Sequence, residues 1–217
     1  SVIVRDGDDA ILPCSLGTNE NLKNVRFEWT KEGTEEEVFI YDSVVGYSPA
    51  LGGRVSLFRG DLQHGNASIK INNVQLEDGG IYTCIFPSRG KTFWIELVVG
   101  AAEPEITIFV QRNGGALLQC DVKNANPKPT VEWQDSNNLN ITSEQPQVFE
   151  QGGRFNITLK ATVKRSDRYR CVATQLQIKH QAQKEINVDF DEKSDSAQVL
   201  PVWAAILIGV LVAVVKV

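Results

Sequence analysis

The chain is 217 residues long, carries a net charge of −5 and has 42% apolar residues and four cysteines, which suits two domains of about 100 residues with a modest core each. Its acidic balance offers no basic stripe to release counterions from phosphates, which argues against a nucleic-acid partner. The cysteines form no Cys-x-x-Cys pair and have no histidine beside them, so zinc ligation gives way to disulfides and an oxidising compartment. The chain opens at Ser1 with neither a methionine nor an apolar leader, as expected of a mature N-terminus.

Asp6-Gly-Asp-Asp9 has the start of a calcium loop, but the later ligands and distal glutamate are missing, so it reads as a polar turn. Residues 10–16 follow as a strand, with Ala10, Leu12, Cys14 and Leu16 on the inward parity and Pro13 outward. The next strand, 25–29, turns Phe27 and Trp29 inward and leaves Arg26 and Glu28 outside. A polar, acid-rich turn leads to a short additional strand at 38–41, and residues 54–58 and 67–71 alternate as two more. In Leu76-Glu-Asp-Gly-Gly-Ile-Tyr-Thr-Cys84, alternation sends Tyr82 and Cys84 into one core and Thr83 and Ile85 to the opposite face.

That spacing is the pattern of an immunoglobulin domain, where the tyrosine hydroxyl bonds back to the corner before its strand and the cysteine bridges to the facing sheet. Cys14 and Cys84 bracket Trp29 accordingly, and their long separation leaves room for the extra strand of a variable-type domain over residues 1–100. Arg54, opening its strand, is placed to meet Asp78. A turn at 87–91 and a strand at 93–99 close the domain, and 100–104 is a short linker.

Residues 101–190 repeat the scheme, with strands at 117–120, 129–133, 155–159, 169–171 and 186–190. Cys120 and Cys171 bracket Trp133 at a shorter interval, as in a constant-type sandwich. The corner departs from the first, with Arg165 where the acid stood and Asp167 where the glycine stood. The fold class is therefore all-β, two tandem immunoglobulin-like sandwiches. A polar stalk at 191–198 precedes an uncharged apolar run at 199–215, which at about 1.5 Å per residue spans roughly 25 Å as a helix. Acids before it and Lys216 after it favour a type I plasma-membrane anchor with the N-terminus outside. The other reading is a lipid-anchor signal, with small residues near 194–197 as the attachment site. Asn66-Ala-Ser, Asn140-Ile-Thr and Asn156-Ile-Thr are acceptors for N-linked glycans.

Catalysis requires a nucleophile with a base, paired carboxylates in a cleft, or a metal cluster. The sequence contains none, and His64 and His180 read as solvated loop residues. No enzymatic activity, cofactor or metal is expected. What remains is a protein-binding face on the front sheet of the first domain, where parity assigns Glu28, Phe39, Tyr41, Thr83, Ile85 and Trp94. Arg89 and Lys91 in the nearby turn add charge for steering.

The first domain resembles the butyrophilin family, which includes myelin oligodendrocyte glycoprotein and the related T-cell co-stimulatory ligands. The resemblance rests on Gly7-Asp-Asp-Ala-Ile-Leu-Pro-Cys14, Val38-Phe-Ile-Tyr41, Gly53-Arg-Val-Ser-Leu-Phe58, His64-Gly-Asn-Ala-Ser68 and the 76–84 corner. It extends more loosely over the second domain and matches the order variable, constant, membrane. It implies a cell-surface ligand that engages a lymphocyte receptor through its first domain and raises or lowers T-cell activation. An adhesion molecule, with weak self-association, is the alternative.

Overall fold

A computed structural model describes residues 1–17, 20–34, 37–49, 51–111 and 114–190. Among these, no helix is long and apolar enough to cross a membrane. The expected stalk and the apolar run at 199–215 lie outside the described residues.

Among the described residues of 1–100, nine strands form two sheets. β1 (Val2–Val4), β3 (Phe27–Lys31), β4 (Glu37–Asp42), β5 (Gly46–Pro49), β8 (Gly80–Phe86) and β9 (Lys91–Val99) form a sheet in the order β1-β9-β8-β3-β4-β5. The facing sheet is β2 (Ala10–Leu12), β7 (Ile69–Ile71) and β6 (Val55–Leu57), in that order. Phe27, Trp29, Tyr82, Phe86, Leu97, Leu12, Ile69 and Ile71 fill the space between them. The Trp29 indole N–H donates to the Ala67 carbonyl at 3.0 Å, so its one polar atom is satisfied in the core.

The corner before β8 forms as its residues dictate. The Tyr82 hydroxyl donates to the Asp78 carbonyl at 2.7 Å, and Cys84 is bridged to Cys14. Asp78 is buried and grips Arg54 through two bonds of 2.6 and 2.8 Å, while the Gln75 N–H donates to it at 2.8 Å. Burial pushes the Asp78 carboxyl up, but Arg54 and the Gln75 N–H outweigh it and hold the carboxyl below its ordinary value.

In the second half, β10 (Pro104–Gln111), β11 (Gly115–Ala125), β14 (Arg154–Val163) and β13 (Gln147–Gln151) form one sheet in the order β10-β11-β14-β13. β12 (Thr130–Gln134), β15 (Asp167–Gln175) and β16 (His180–Val188) form the other. This division of four strands against three is the constant-type layout. The interior repeats the first domain: Cys120 is bridged to Cys171, and the Trp133 indole N–H donates to the Leu159 carbonyl at 3.1 Å. The Tyr169 hydroxyl donates to the Arg165 carbonyl at 3.0 Å, so the altered corner keeps its tyrosine bond, which needs only a backbone oxygen.

The two sandwiches meet at a polar junction. The fully buried Gln175 side chain accepts from the Ala102 N–H at 2.7 Å and donates to the Gly100 and Pro127 carbonyls at 3.0 and 2.6 Å. Gly100 has φ +104, and a Cβ there would come within 2.8 Å of Asn126, so glycine is required both for its conformation and for the close approach. Arg154 on β14 reaches across to Asp6 with bonds of 2.6 and 3.0 Å. His180, expected in a solvated loop, instead opens β16 with its Nε2 2.9 Å from the Ala102 carbonyl oxygen.

Candidate binding face

The outer face of the six-stranded sheet is built by register. Strand pairing sets Thr92, Ile85, Glu28, Ile40 and Ser48 in one row across β9, β8, β3, β4 and β5. Trp94, Thr83 and Thr30 form the next row, and Glu96 and Ile81 a third. These residues face outward because their chain neighbours Tyr82, Cys84, Trp29, Ile95 and Leu97 are buried in the core. Trp94 dominates the face at 67% exposed, flanked along β8 by the exposed Ile81 and the half-buried Ile85.

Of the residues expected there, Glu28, Thr83, Ile85 and Trp94 do stand on this face. Thr83 offers little surface: it is 8% exposed, with its hydroxyl 2.5 Å from that of Thr30. Phe39 and Tyr41 must be corrected. Phe39 lies opposite Trp29 and Tyr41 opposite Phe27, so both share the inward parity, and Phe39 is fully buried. The cause is an irregularity between Trp29 and Thr30, where Val38 is an extra residue in β4 and resets the alternation beyond it. Tyr41 stacks on Phe27 at 5.0 Å, and its hydroxyl donates to the Lys23 carbonyl at 2.8 Å. Ile40 takes the outward place instead.

Beyond Ile40 the face continues into a shallow depression of about 270 Å³ lined by Arg26, Ile40, Asp42, Val45, Tyr47 and Ser48. The Asp42 carboxylate accepts from the Val44 and Val45 N–H groups at 2.8 and 3.3 Å, and these bonds hold it below its ordinary value. They also shape the β4–β5 turn so that Val44 and Val45 project almost fully into solvent. Two exposed valines in sequence were the available signal for this edge, but a turn position masks it. Across the sheet at the same end, Arg89 in the β8–β9 turn is paired with Glu20 at 3.2 Å rather than free for steering.

Among the described residues, no group of three metal-ligating side chains comes together. The face presents Trp94 and aliphatic side chains inside a rim that includes Arg26, Asp42 and Glu96. An exposed aromatic among aliphatic side chains inside a polar rim is the composition of a protein-binding surface.

Comparison with known proteins agrees with this architecture on both halves. The Immunoglobulin V-set domain family matches residues 1–96, and the family described as Butyrophilin subfamily 3 member A2-like, Ig-C domain matches residues 101–187. The chain is 31% identical over 163 residues to V-set domain-containing T-cell activation inhibitor 1 of Rattus norvegicus, covering 71% of this chain and 57% of the relative. It is 29% identical over 156 residues to butyrophilin subfamily 1 member A1 of Homo sapiens, covering 67% of this chain and 30% of the relative. The match thus spans less than two thirds of either relative's length. A crystal structure of bovine butyrophilin shares the fold at a TM-score of 0.55 and 24% identity, covering 87% of this chain and 94% of that one. With a V-set domain followed by a domain that matches the butyrophilin-type Ig-C family, the chain belongs to the immunoglobulin superfamily and is similar to the butyrophilins.

Proposed function

We propose that the chain is the ligand-bearing part of a cell-surface protein that binds a receptor on lymphocytes through the outer face of its first domain and so regulates T-cell activation. The observation that carries this reading is Trp94, an exposed tryptophan within a regular sheet, with Ile81 and Ile85 diagonal to it on the adjacent strand and Ile40 three strands away on the same face. A protein keeps a large aromatic group in water at a cost in solubility, and buried aromatic anchors supply much of the energy at protein interfaces. The T-cell inhibitor among the relatives supports an immune role. The proposal includes type I anchoring by residues 199–215 and glycans at Asn66, Asn140 and Asn156. Asn66 pairs with Ser15 on the side of the β2-β7-β6 sheet, so a glycan there leaves the outer face open.

The test uses a soluble fusion of residues 1–190. Staining of activated lymphocytes that is lost in Trp94→Ala supports the reading. Staining only of cells that bear the same protein would replace it with homophilic adhesion.

A further inference from the structure

Among the described residues, β13 is the edge of its sheet, paired only with β14, and all five of its residues are exposed. Val148 and Phe149 are 44% and 60% exposed. An open edge strand with exposed apolar side chains is a template for unwanted pairing, so something normally covers it. Phe149 lies directly opposite Asn156 of β14, and Asn156-Ile-Thr158 is an acceptor sequence. Ile157 is buried between the sheets, so Asn156, Thr158 and Phe149 share the outer face. The Asn156 Oδ1 accepts from the Asn124 N–H at 2.9 Å. Asn124 belongs to β11, on the far side of β14 from β13. The carboxamide oxygen is thereby held toward β11.

We propose that Asn156 carries an N-linked glycan whose first sugar ring lies on the ring of Phe149. The attachment breaks the C1–oxygen bond of a lipid diphosphate-linked oligosaccharide and forms C1–Nδ2; the diphosphate leaves with the bonding pair, and Nδ2 gives up one proton. Directly opposed residues on antiparallel strands have Cβ atoms about 5 Å apart, about the width of one sugar ring. The C–H-lined face of an N-acetylglucosamine then meets the electron-rich face of the phenylalanine. The bulk of the glycan also blocks a second chain from adding to β13. This inference depends on passage through the secretory route and not on receptor binding.

The test expresses the full chain in mammalian cells, with Phe149→Ala, Asn156→Gln and the double variant beside it. Peptide mass spectrometry reads occupancy at Asn156, and thermal unfolding of the detergent-solubilised chain reads coupling. Phe149→Ala is expected to lower the midpoint by about 4 °C in the glycosylated chain, and to change it little in the Asn156→Gln background. Phe149→Tyr restores the midpoint, whereas Phe149→Leu, apolar without a ring, does not. An unoccupied Asn156 overturns the proposal, as does an equal shift in both backgrounds, since independent sites add. Cross-linking of the wild-type chain into a dimer through β13 overturns it as well, by making a second copy the occupant.

Discussion

Ile85 and Phe39 carry opposite consequences for one kind of substitution. Ile85 sits on the outer face opposite Glu28, with Cys84 fixing its parity. An aspartate there is expected to abolish partner binding while secretion and the unfolding midpoint stay near those of the parent. The same change at Phe39 buries a charge against Phe27 and Tyr47 and is expected to abolish secretion. A surface-expression and binding assay on both variants checks the register directly. The Arg54–Asp78 pair has its own signature. Because the folded carboxyl lies below its unfolded value, the pair's contribution is complete above the unfolded value of about 4 and is lost as pH falls through the folded one. Arg54→Ala should therefore cost roughly 3 kcal/mol at pH 7, with Asp78 left buried and unpaired. The gap to the parent should narrow in urea melts as pH falls below about 4 and close only below the depressed folded value of Asp78, where the carboxyl becomes neutral.

At the scale of elements, each sandwich is held by a strand pair tied across its core. The two disulfides span separations of 70 and 51 residues, and closing loops of that length contributes about 4 kcal/mol each in the chain-entropy account. That is a large share of the 5–15 kcal/mol typical of a domain. Cys171→Ala is expected to leave the second domain unfolded at 37 °C, so secretion of the chain should fall to background. The tyrosine corner alone does not compensate, since one hydrogen bond contributes only about 1 kcal/mol net. The elements also differ in how openly the sequence announces them. Strands around Cys14, Cys84, Cys120 and Cys171 are legible because the cysteine fixes which parity faces the core, even where Thr83 and Val172 on the other parity are also covered. β13 is exposed along its whole length and has no alternation to read. β1 and β5 are short edge strands whose pairing, β1 parallel to β9 and β5 antiparallel to β4, depends on partners distant in sequence or on a turn.

For the molecule as a whole, the junction determines how the outer face of the first domain is held relative to the second. Gln175 bonds three backbone groups there, the Ala102 N–H and the Gly100 and Pro127 carbonyls, the Gly100 carbonyl also accepting from the Asn126 N–H, and Arg154–Asp6 adds a second tie on the neighbouring edge. Gln175→Ala should cost roughly 2 kcal/mol through the unsatisfied groups. It should also broaden the interdomain distance distribution seen by small-angle scattering of residues 1–190, while both disulfides stay intact. An unchanged distribution would show that Arg154 and the packing of Gly153 near Leu76 are sufficient.

The sequence by itself determined the two sandwiches, their cysteine and tryptophan cores, and the tyrosine corners. Each of these depends on residue types at fixed local spacing, where alternation has only one burial-consistent reading. It also placed Ile85 outside, by its distance from Cys84; the place of Trp94 on that face is set by its pairing with Thr83, which belongs to the tertiary structure. Only the tertiary structure decided that Phe39 is core and Ile40 is surface, because one extra residue at Val38 inverts the parity and leaves no mark in composition. The same holds for Gln175 at the junction and for Phe149 opposite Asn156. Their roles come from groups tens of residues away in the chain, and long-range register is set by the packing of whole sheets rather than by any local pattern.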